Sequence, residues 1–181
     1  MSEVVVHPIV RSSRTRDLRL WLLLITALVV TADRLSKLWI EAHIDLGSTI
    51  PIIPRFFRLS HVLNTGAAFS IFADSTSPER VRIVLIAFSV CVTVVIAAMI
   101  YRVGRTLSLT SFGLALILGG ALGNLYDRIR FDHVVDFLQV HIGTYYWPDF
   151  NLADSAICVG AGLLLLEIFR PQPKESADVQ E

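Results

Sequence analysis

The chain has 181 residues, the size of a single domain, and its formal net charge is zero. Apolar residues make up 54% of it and the mean hydropathy is +0.61. Soluble domains are roughly 45–50% apolar when glycine is counted. The apolar share of this chain exceeds that range even though glycine is not counted in it. These values predict a polytopic membrane protein, and the lack of a basic excess removes the electrostatic argument for a nucleic-acid partner.

The first apolar segment covers about residues 18–40 and follows a polar, arginine-bearing extension at residues 1–17. No small-x-small cleavage site is evident, so the segment is predicted to be a retained membrane helix and not a cleaved signal peptide. Asp33 and Lys37 lie four residues apart in its last turns, a spacing that permits an ion pair. At a membrane boundary such a pair is more often structural than catalytic.

Residues 41–78 contain too many prolines and glycines for a spanning helix. Two short β-prone runs, at 50–53 and 56–63, predict a small strand-containing element at the membrane surface. Asn64 and Gly66 begin a run of small residues that would let another backbone approach closely, and Asn64 offers both a donor and an acceptor. The run is equally compatible with a plain turn that leads into a helix.

Three more apolar segments predict helices about long enough to cross the ~30 Å hydrocarbon core. They cover about residues 82–101, 107–126 and 151–169. Gly119 and Gly123 in the third helix form a small-xxx-small pair that permits close helix packing. The residues from 171 to 181 form a charged tail.

The predicted fold class is therefore an all-α polytopic membrane protein, with four transmembrane helices and a small β-element at the outer membrane surface. Residues 18–170 form its one membrane domain. Four spans place both termini on one side and the loops 41–78 and 127–150 on the other. Lysines and arginines are evenly divided between the two sides, but arginines cluster before the first helix, which favours cytoplasmic termini.

Asp136 and Asp154 flank one loop, so we expect both carboxylates at the same membrane surface, in one site. The run 134–142 is rich in β-branched and apolar residues and predicts a strand, whose alternation puts Asp136 on an apolar face where a carboxylate resists ionisation. Asp154 lies in the first turn of the fourth helix, where the helix dipole favours its charge. Two carboxylates pushed toward different protonation states form an acid/base pair. The alternative is a surface aspartate and a helix-start charge without chemistry.

The polar residues around these aspartates have open roles. Arg128 could pair with Asp127, pair with a catalytic carboxylate, or remain a solvated cation at the negative end of the third helix, beside Asn124. Asn151 is the expected N-cap of the fourth helix, and a second role in orienting Asp154 is possible.

Metal and disulfide chemistry are not expected. His133 and His141 fall on the strand face opposite Asp136, and the sequence has no zinc-type spacing. Cys91 and Cys158 lie in apolar runs, and we interpret them as small buried hydrophobic residues.

Five motifs, taken in chain order, resemble the lipoprotein signal peptidase (signal peptidase II) family, and the resemblance covers about residues 18–170. They are Asp33-Arg34-Leu35-Ser36-Lys37, Asn64-Thr65-Gly66-Ala67-Ala68-Phe69-Ser70, Gly119-Gly120-Ala121-Leu122-Gly123-Asn124-Leu125-Tyr126-Asp127-Arg128, Val134-Val135-Asp136-Phe137 and Phe150-Asn151-Leu152-Ala153-Asp154-Ser155.

The resemblance implies a bacterial inner-membrane aspartic protease that removes the signal peptide of prolipoproteins just before a diacylglyceryl-modified cysteine. It implies a monomer in membrane phospholipid, without metal or cofactor, that is sensitive to globomycin-type cyclic peptides. Asp132 stands where the family commonly has glycine, which adds a charge near Asp136 or alters the loop. The catalytic residues carried over are Asp136 and Asp154, and the substrate-binding or supporting residues are Asn64, Gly66, Asn124, Arg128, Asn151, Asp33 and Lys37.

The implied mechanism is general acid–base hydrolysis, in which an ionised aspartate takes a proton from water and a protonated one assists the leaving amine. The sequence leaves open which aspartate is ionised. Two rival functions share the intramembrane carboxylates: a small transporter or channel with a proton-carrying aspartate, and a non-catalytic membrane scaffold.

Overall fold

The computed structural model describes residues 17–66 and 78–170. Nearly all of the predicted N-terminal extension, the predicted tail, and the part of the surface loop that holds Ala67 and Ala68 lie outside these residues. The helices are α1 (Arg19–His43), α2 (Pro78–Val103), α3 (Leu109–Arg130) and α4 (Leu152–Ile168), and the strands are β1 (Thr49–Ile53), β2 (Phe57–Asn64), β3 (Val134–Ile142) and β4 (Tyr145–Tyr146).

Helix α3 is the centre of the helical bundle and packs against α1, α2 and α4. Its N-terminus is capped by Ser108, whose side chain accepts a hydrogen bond from the Ser111 backbone. On α1, the hydroxyl of Thr26 donates to the carbonyl of Ala115 over 3.1 Å. The residues that α1 buries recur every three to seven positions and so form one face toward the bundle: Leu22, Thr26, Asp33, Lys37 and Ile40.

Glycines let α3 and α4 approach to backbone contact. A Cβ placed on Gly120 would lie 2.3 Å from the carbonyl oxygen of Ala153, and one on Gly113 would lie 2.8 Å from that of Gly160. Any larger residue at these positions would therefore push the two helices apart. This close packing sets where the first turn of α4 lies relative to the end of α3.

The four strands form one antiparallel sheet in the order β1-β2-β3-β4. Strand β3 packs under the end of α1, where Ile40 and Ile44 form a hydrophobic cluster with Val135 and Phe137. The predicted strand at 134–142 is confirmed. Its first four residues are buried on both faces, because α1 covers one face and the polar site covers the other.

Helix α3 ends later than the sequence indicated. It was expected to stop near residue 126 and continues to Arg130, so Asp127 and Arg128 are helical and not part of a loop. Arginines in its last turn lie at the negative end of the helix dipole, which favours the extension. Helix α2 likewise begins at Pro78, a few residues before the predicted start.

Two helices in the described part of the chain are long and apolar enough to cross a membrane, one from Glu79 to Val103 and the other from Leu109 to Arg130. The large apolar side chains of α2, such as Phe88 and Val94, are exposed around the helix. Such a surface is expected of a helix whose solvent is lipid.

The expectation that the cysteines are buried is wrong. Cys91 and Cys158 have free thiols, and both are exposed. Hydropathy predicts burial only in water, whereas an apolar side chain of a membrane helix can face outward as readily as inward.

Packing at Gly120 gives a testable prediction. Gly120→Ala should lower the unfolding midpoint in detergent, because its Cβ meets backbone and overpacking costs about 1–3 kcal/mol. Gly162→Ala on α4 is the matched control, since nothing lies within 4 Å of its added Cβ. Alanine favours a helix by about 1 kcal/mol over glycine, so the control should be neutral or stabilising. Equal midpoints for the two variants would contradict the close contact of α3 with α4.

Candidate active site

Asp136 lies on β3 with its carboxylate buried, at 3% exposure. Its Oδ2 accepts a hydrogen bond of 2.8 Å from the Asn64 side-chain amide, and its Oδ1 accepts one of 2.8 Å from the Asn151 side-chain amide. The sheet register explains the first contact. Asp136 pairs with Val62 and Val134 pairs with Asn64, so Asn64 and Asp136 are diagonal neighbours on one face of the sheet.

Asp154 lies at the start of α4, in a reciprocal cap with Asn151. The Asn151 side chain accepts from the backbone N–H of Asp154 at 3.0 Å, and Asp154 Oδ2 accepts from the backbone N–H of Asn151 at 3.2 Å. This confirms Asn151 as the N-cap. Because its NH₂ also reaches Asp136, the fully buried Asn151 connects the two aspartates.

Backbone hydrogen bonds to β3 hold Phe150, the residue that precedes this cap. The carbonyl of Phe150 accepts hydrogen bonds from the N–H groups of Phe137 and Leu138, and its own N–H donates to Leu138. Residue 150 is therefore fixed beside the strand residues that follow Asp136. The helix that carries Asp154 must start next to Asp136.

Asn124 on α3 completes the hydrogen bonds around the pair. Its NH₂ donates to Asp154 Oδ1 at 2.8 Å, and its carbonyl oxygen accepts from Asn151 at 3.3 Å. Asp154, which is partly buried, thus accepts one side-chain and one backbone donor.

Arg128 adds positive charge on the same side of α3. It donates to the backbone carbonyls of Asn124 and Gly66, at 3.3 and 3.4 Å, and it is electrostatically attracted to Asp154 and Asp136. Gly66 in turn donates its N–H to the Asn64 side chain. The structure therefore brings Asn64 and Gly66 to the aspartates.

No ion pair joins Asp127 to Arg128, one of the alternatives that the sequence left open, although the charge of Asp127 also acts on Arg128. Successive helical residues point in different directions. Asp127 turns to α1, where it lies 2.5 Å from the ammonium of Lys37 and 3.7 Å from Arg34. The predicted Asp33–Lys37 pair is present at 2.7 Å, so Lys37 joins two carboxylates.

A cavity of about 400 Å³ lies over the two aspartates and is walled mainly by apolar surface. The sequence analysis did not predict several residues that line this cavity, and these come from the loop before α4 and from α4 itself. A run of aromatic residues on both sides of Pro148 was the available signal. The lining residues are Asn64, Asn124, Arg128, Val134, Asp136, Trp147, Asp149, Phe150, Asp154, Ser155, Ile157 and Cys158.

The pKa of Asp136 is raised to about 7. Burial is the largest cause and the negative charge of Asp154 adds to it, while the hydrogen bonds from Asn64 and Asn151 and the charge of Lys37 oppose the rise. Burial also raises the pKa of Asp149, against a hydrogen bond from Ser60. Asp136 can therefore hold a proton near neutral pH, as a general acid must.

Asp132, which stands where the sequence resemblance implies glycine, adopts the left-handed backbone conformation that glycine favours, with φ of +67°. Its carboxylate forms an ion pair with Arg82 at the start of α2. The loop before β3 thus has a residue in the left-handed region, which aspartate tolerates better than most side chains.

No group of three or more potential ligands among His, Cys, Asp and Glu is placed to hold a metal ion within residues 17–66 and 78–170.

Comparison with known proteins identifies relatives over most of the chain. The model of a family described as signal peptidase (SPase) II matches residues 25–170. The chain is 47% identical to the lipoprotein signal peptidase of Syntrophotalea carbinolica, over 82% of this chain and 91% of that one. It is 44% identical to the lipoprotein signal peptidase of Pseudomonas fluorescens, over 84% and 89%.

Two solved structures described as bacterial membrane enzymes share the fold. One, at 24% identity, has a TM-score of 0.75 and covers 89% of this chain and 94% of its own. The other, at 25% identity, has the same TM-score and covers 88% and 99%. The family model and the two named relatives, and not these structures, favour a peptidase over the transporter and scaffold alternatives.

The environment of Asp136 gives a second prediction, with two variants that act in opposite directions. Infrared titration of its carboxyl band, assigned with Asp136→Asn, should show a midpoint near pH 7. Asn64→Ala removes a donor that favours the ionised form, so the midpoint should rise. Asp154→Asn removes a neighbouring negative charge, so the midpoint of Asp136 should fall.

A midpoint near 3.8, the ordinary pKa of an aspartate, would contradict the raised pKa of Asp136. Movement of both variants in the same direction would mean that general loosening of the site, and not the two named interactions, controls the titration.

Proposed function

Because the chain belongs to the signal peptidase II family of aspartic peptidases, we propose that it removes the signal peptide from diacylglyceryl-modified prolipoproteins by cleaving just before the modified cysteine. The observation that carries the proposal is that two aspartates from different elements, Asp136 and Asp154, meet in one apolar-walled cavity and are joined by Asn151.

Asp136 is the general acid in this proposal. It is buried, its pKa is raised to about 7, and it can therefore donate a proton to the substrate at neutral pH. Asp154 is the general base in this proposal, because it lies in the first turn of α4 and accepts two N–H donors that orient its carboxylate in the same cavity.

The hydrolysis needs one water molecule and these two carboxyl groups. Ionised Asp154 takes a proton from water as the water oxygen attacks the scissile carbonyl carbon, while Asp136 donates a hydrogen bond to the carbonyl oxygen. When the C–N bond breaks, Asp136 gives its proton to the leaving nitrogen. Both proton transfers are made by side chains, so the chemistry requires no metal, cofactor or covalent intermediate.

The surrounding polar residues hold the two carboxyls in these states. Asn64 and Asn151 orient Asp136, and Asn124 orients Asp154. The positive charge of Arg128 stabilises the negative charge that develops in the transition state. Gly66 links Asn64 to Arg128 through its backbone and leaves room for a narrow substrate chain.

We further propose that α1 and α4 also span the membrane, which gives four spans in a bacterial inner membrane. The charged Asp33 and Lys37 of α1 face the bundle, while its exposed face carries Leu24 and Leu28. Both termini are then cytoplasmic and the cavity lies near the outer face.

This orientation can be checked with cysteines introduced at positions 48 and 145 in a chain without Cys91 and Cys158. The introduced cysteines are labelled with a reagent that does not cross the membrane. Labelling only from the cytoplasmic side would refute it.

The protein is expected to act as a monomer in phospholipid, and globomycin-type cyclic peptides are expected to occupy the same cavity. The basic extension and the charged tail are proposed to flank the membrane domain at residues 18–170 on the cytoplasmic side.

The dyad makes the third prediction. Asp136→Asn and Asp154→Asn should each reduce turnover at least about 100-fold, since general acid–base catalysis contributes roughly 10²–10⁴-fold. Both variants should remain monodisperse in detergent. Asp149→Asn is the matched control, because its carboxyl lines the same cavity but is hydrogen-bonded by Ser60 and Gln139. Turnover above about a tenth of the wild-type rate in either dyad variant would remove the catalytic assignment.

The substrate makes the fourth prediction. A diacylglyceryl-modified precursor should be cleaved at least roughly 100-fold faster than the same precursor without lipid. Each buried methylene contributes about 0.8 kcal/mol, so burial of a few of them against membrane and cavity accounts for this factor. Mass spectrometry of the products should place the cut immediately before the cysteine. Equal rates for the two precursors would mean that the lipid is not recognised.

A further inference from the structure

The ammonium of Lys37 is completely buried, although the hydrolysis proposed above does not use it. Its three donors are fully occupied: they go to Asp33 Oδ2 at 2.7 Å, Asp127 Oδ2 at 2.5 Å and Asn124 Oδ1 at 3.3 Å. Within the residues that the structure describes, none of its hydrogen bonds goes to Asp136 or Asp154. The charge of Lys37 acts on Asp136, whose pKa it lowers, but any hydrogen-bonded effect of Lys37 on Asp154 must pass through a neighbour.

Asn124 is the neighbour that connects Lys37 with the dyad. The two ends of its amide have opposite hydrogen-bonding character, and they face opposite partners: the oxygen faces the ammonium and the NH₂ faces Asp154 Oδ1 at 2.8 Å. An ammonium can only donate hydrogen bonds, so only the oxygen end of the Asn124 amide can be its partner. The orientation that satisfies Lys37 is therefore the one that directs an N–H donor at Asp154.

Asn151 also donates to the oxygen of Asn124, but it divides its NH₂ between that oxygen and Asp136. The ammonium has no such freedom, because carboxylates on α1 and α3 hold it from two sides. Charged donors also make stronger hydrogen bonds than neutral ones, and a donor at the amide oxygen strengthens the N–H at the other end.

The same charged cluster also contacts α4 directly. Asp33 Oδ1 accepts from the backbone N–H of Ala153 at 3.0 Å, which places the residue before Asp154. Replacing a buried ion cluster by apolar side chains is often neutral for folding or stabilising. A role limited to stability would therefore not require charge here, whereas alignment of a dipole toward Asp154 does.

We propose that Lys37 is a positioning residue for Asp154: by holding the oxygen of the Asn124 amide, it fixes the N–H that holds the carboxylate of the base in place. This inference rests on the proposed function and specifies the role of one residue within it. Lys37 does not line the cavity, so its loss should lower kcat and leave KM nearly unchanged.

The test is a double-mutant cycle of Lys37→Met and Asn124→Ala, assayed with a lipid-modified precursor. Each single variant should lower kcat about 10–100-fold, as expected for losing a hydrogen bond to a charged group. The double variant should be no slower than Asn124→Ala alone, because Lys37 acts through that amide. Independent, multiplying losses would overturn the inference.

Lys37→Met leaves Asp33 and Asp127 unpaired, so a second variant guards against simple misfolding. Asp33→Asn, Lys37→Met and Asp127→Asn together remove the charges of the triad while keeping an acceptor for Ala153. This variant should fold, with a detergent unfolding midpoint near that of the wild type, and still show the reduced kcat with a KM nearly unchanged.

Wild-type kcat in the neutral-cluster variant, or its failure to fold, would overturn the positioning role. Asp154→Asn separates this inference from the proposed function. Activity in that variant would remove the dyad itself, whereas an inactive Asp154→Asn with an additive cycle would overturn only the role of Lys37.

Discussion

The site depends on one constraint: polar groups buried in an apolar bundle must find their partners inside the protein. Asn151 satisfies this constraint for both aspartates. It caps α4 through Asp154, donates to Asp136 on the strand, and donates to Asn124 on α3. One fully buried side chain therefore ties a helix start, a strand and a second helix into one geometry, and displacement of any of the three would leave an unsatisfied group.

Close helix packing makes that geometry possible. Gly120 lies against the backbone of Ala153, and a Cβ on Gly123 would lie 2.8 Å from Asp33 Oδ2. Without side chains at these positions, the end of α3 comes near enough to α4 for Asn124 to reach Asp154. Small residues in membrane helices are often read as dimerisation surfaces. Here they bring helices of one chain together around a polar site.

Two carboxyls in one cavity receive different environments from the fold. Asp136 lies in a sheet covered by a helix on one side and the site on the other, so burial favours its protonated form. Asp154 is only partly buried and lies in the first turn of α4, where it accepts N–H donors from Asn151 and Asn124. In the proposed hydrolysis, the covering of one strand and the start of one helix give two identical side chains opposite proton roles.

Features that depend on local sequence could be predicted. The strand at 134–142 and the cap at Asn151 follow from alternation and capping preference, and the shared location of Asp136 and Asp154 follows from their flanking one loop. Partners distant in sequence could not be predicted. For Lys37, the sequence indicated only the i,i+4 neighbour Asp33 as a partner. Its other partners, Asp127 and Asn124, lie 90 and 87 residues away. The orientation of Asp127 away from Arg128, the bond from Asn64 to Asp136 and the exposure of Cys158 were likewise decided by the tertiary structure, because helix packing and sheet register determine which side chains meet across the bundle.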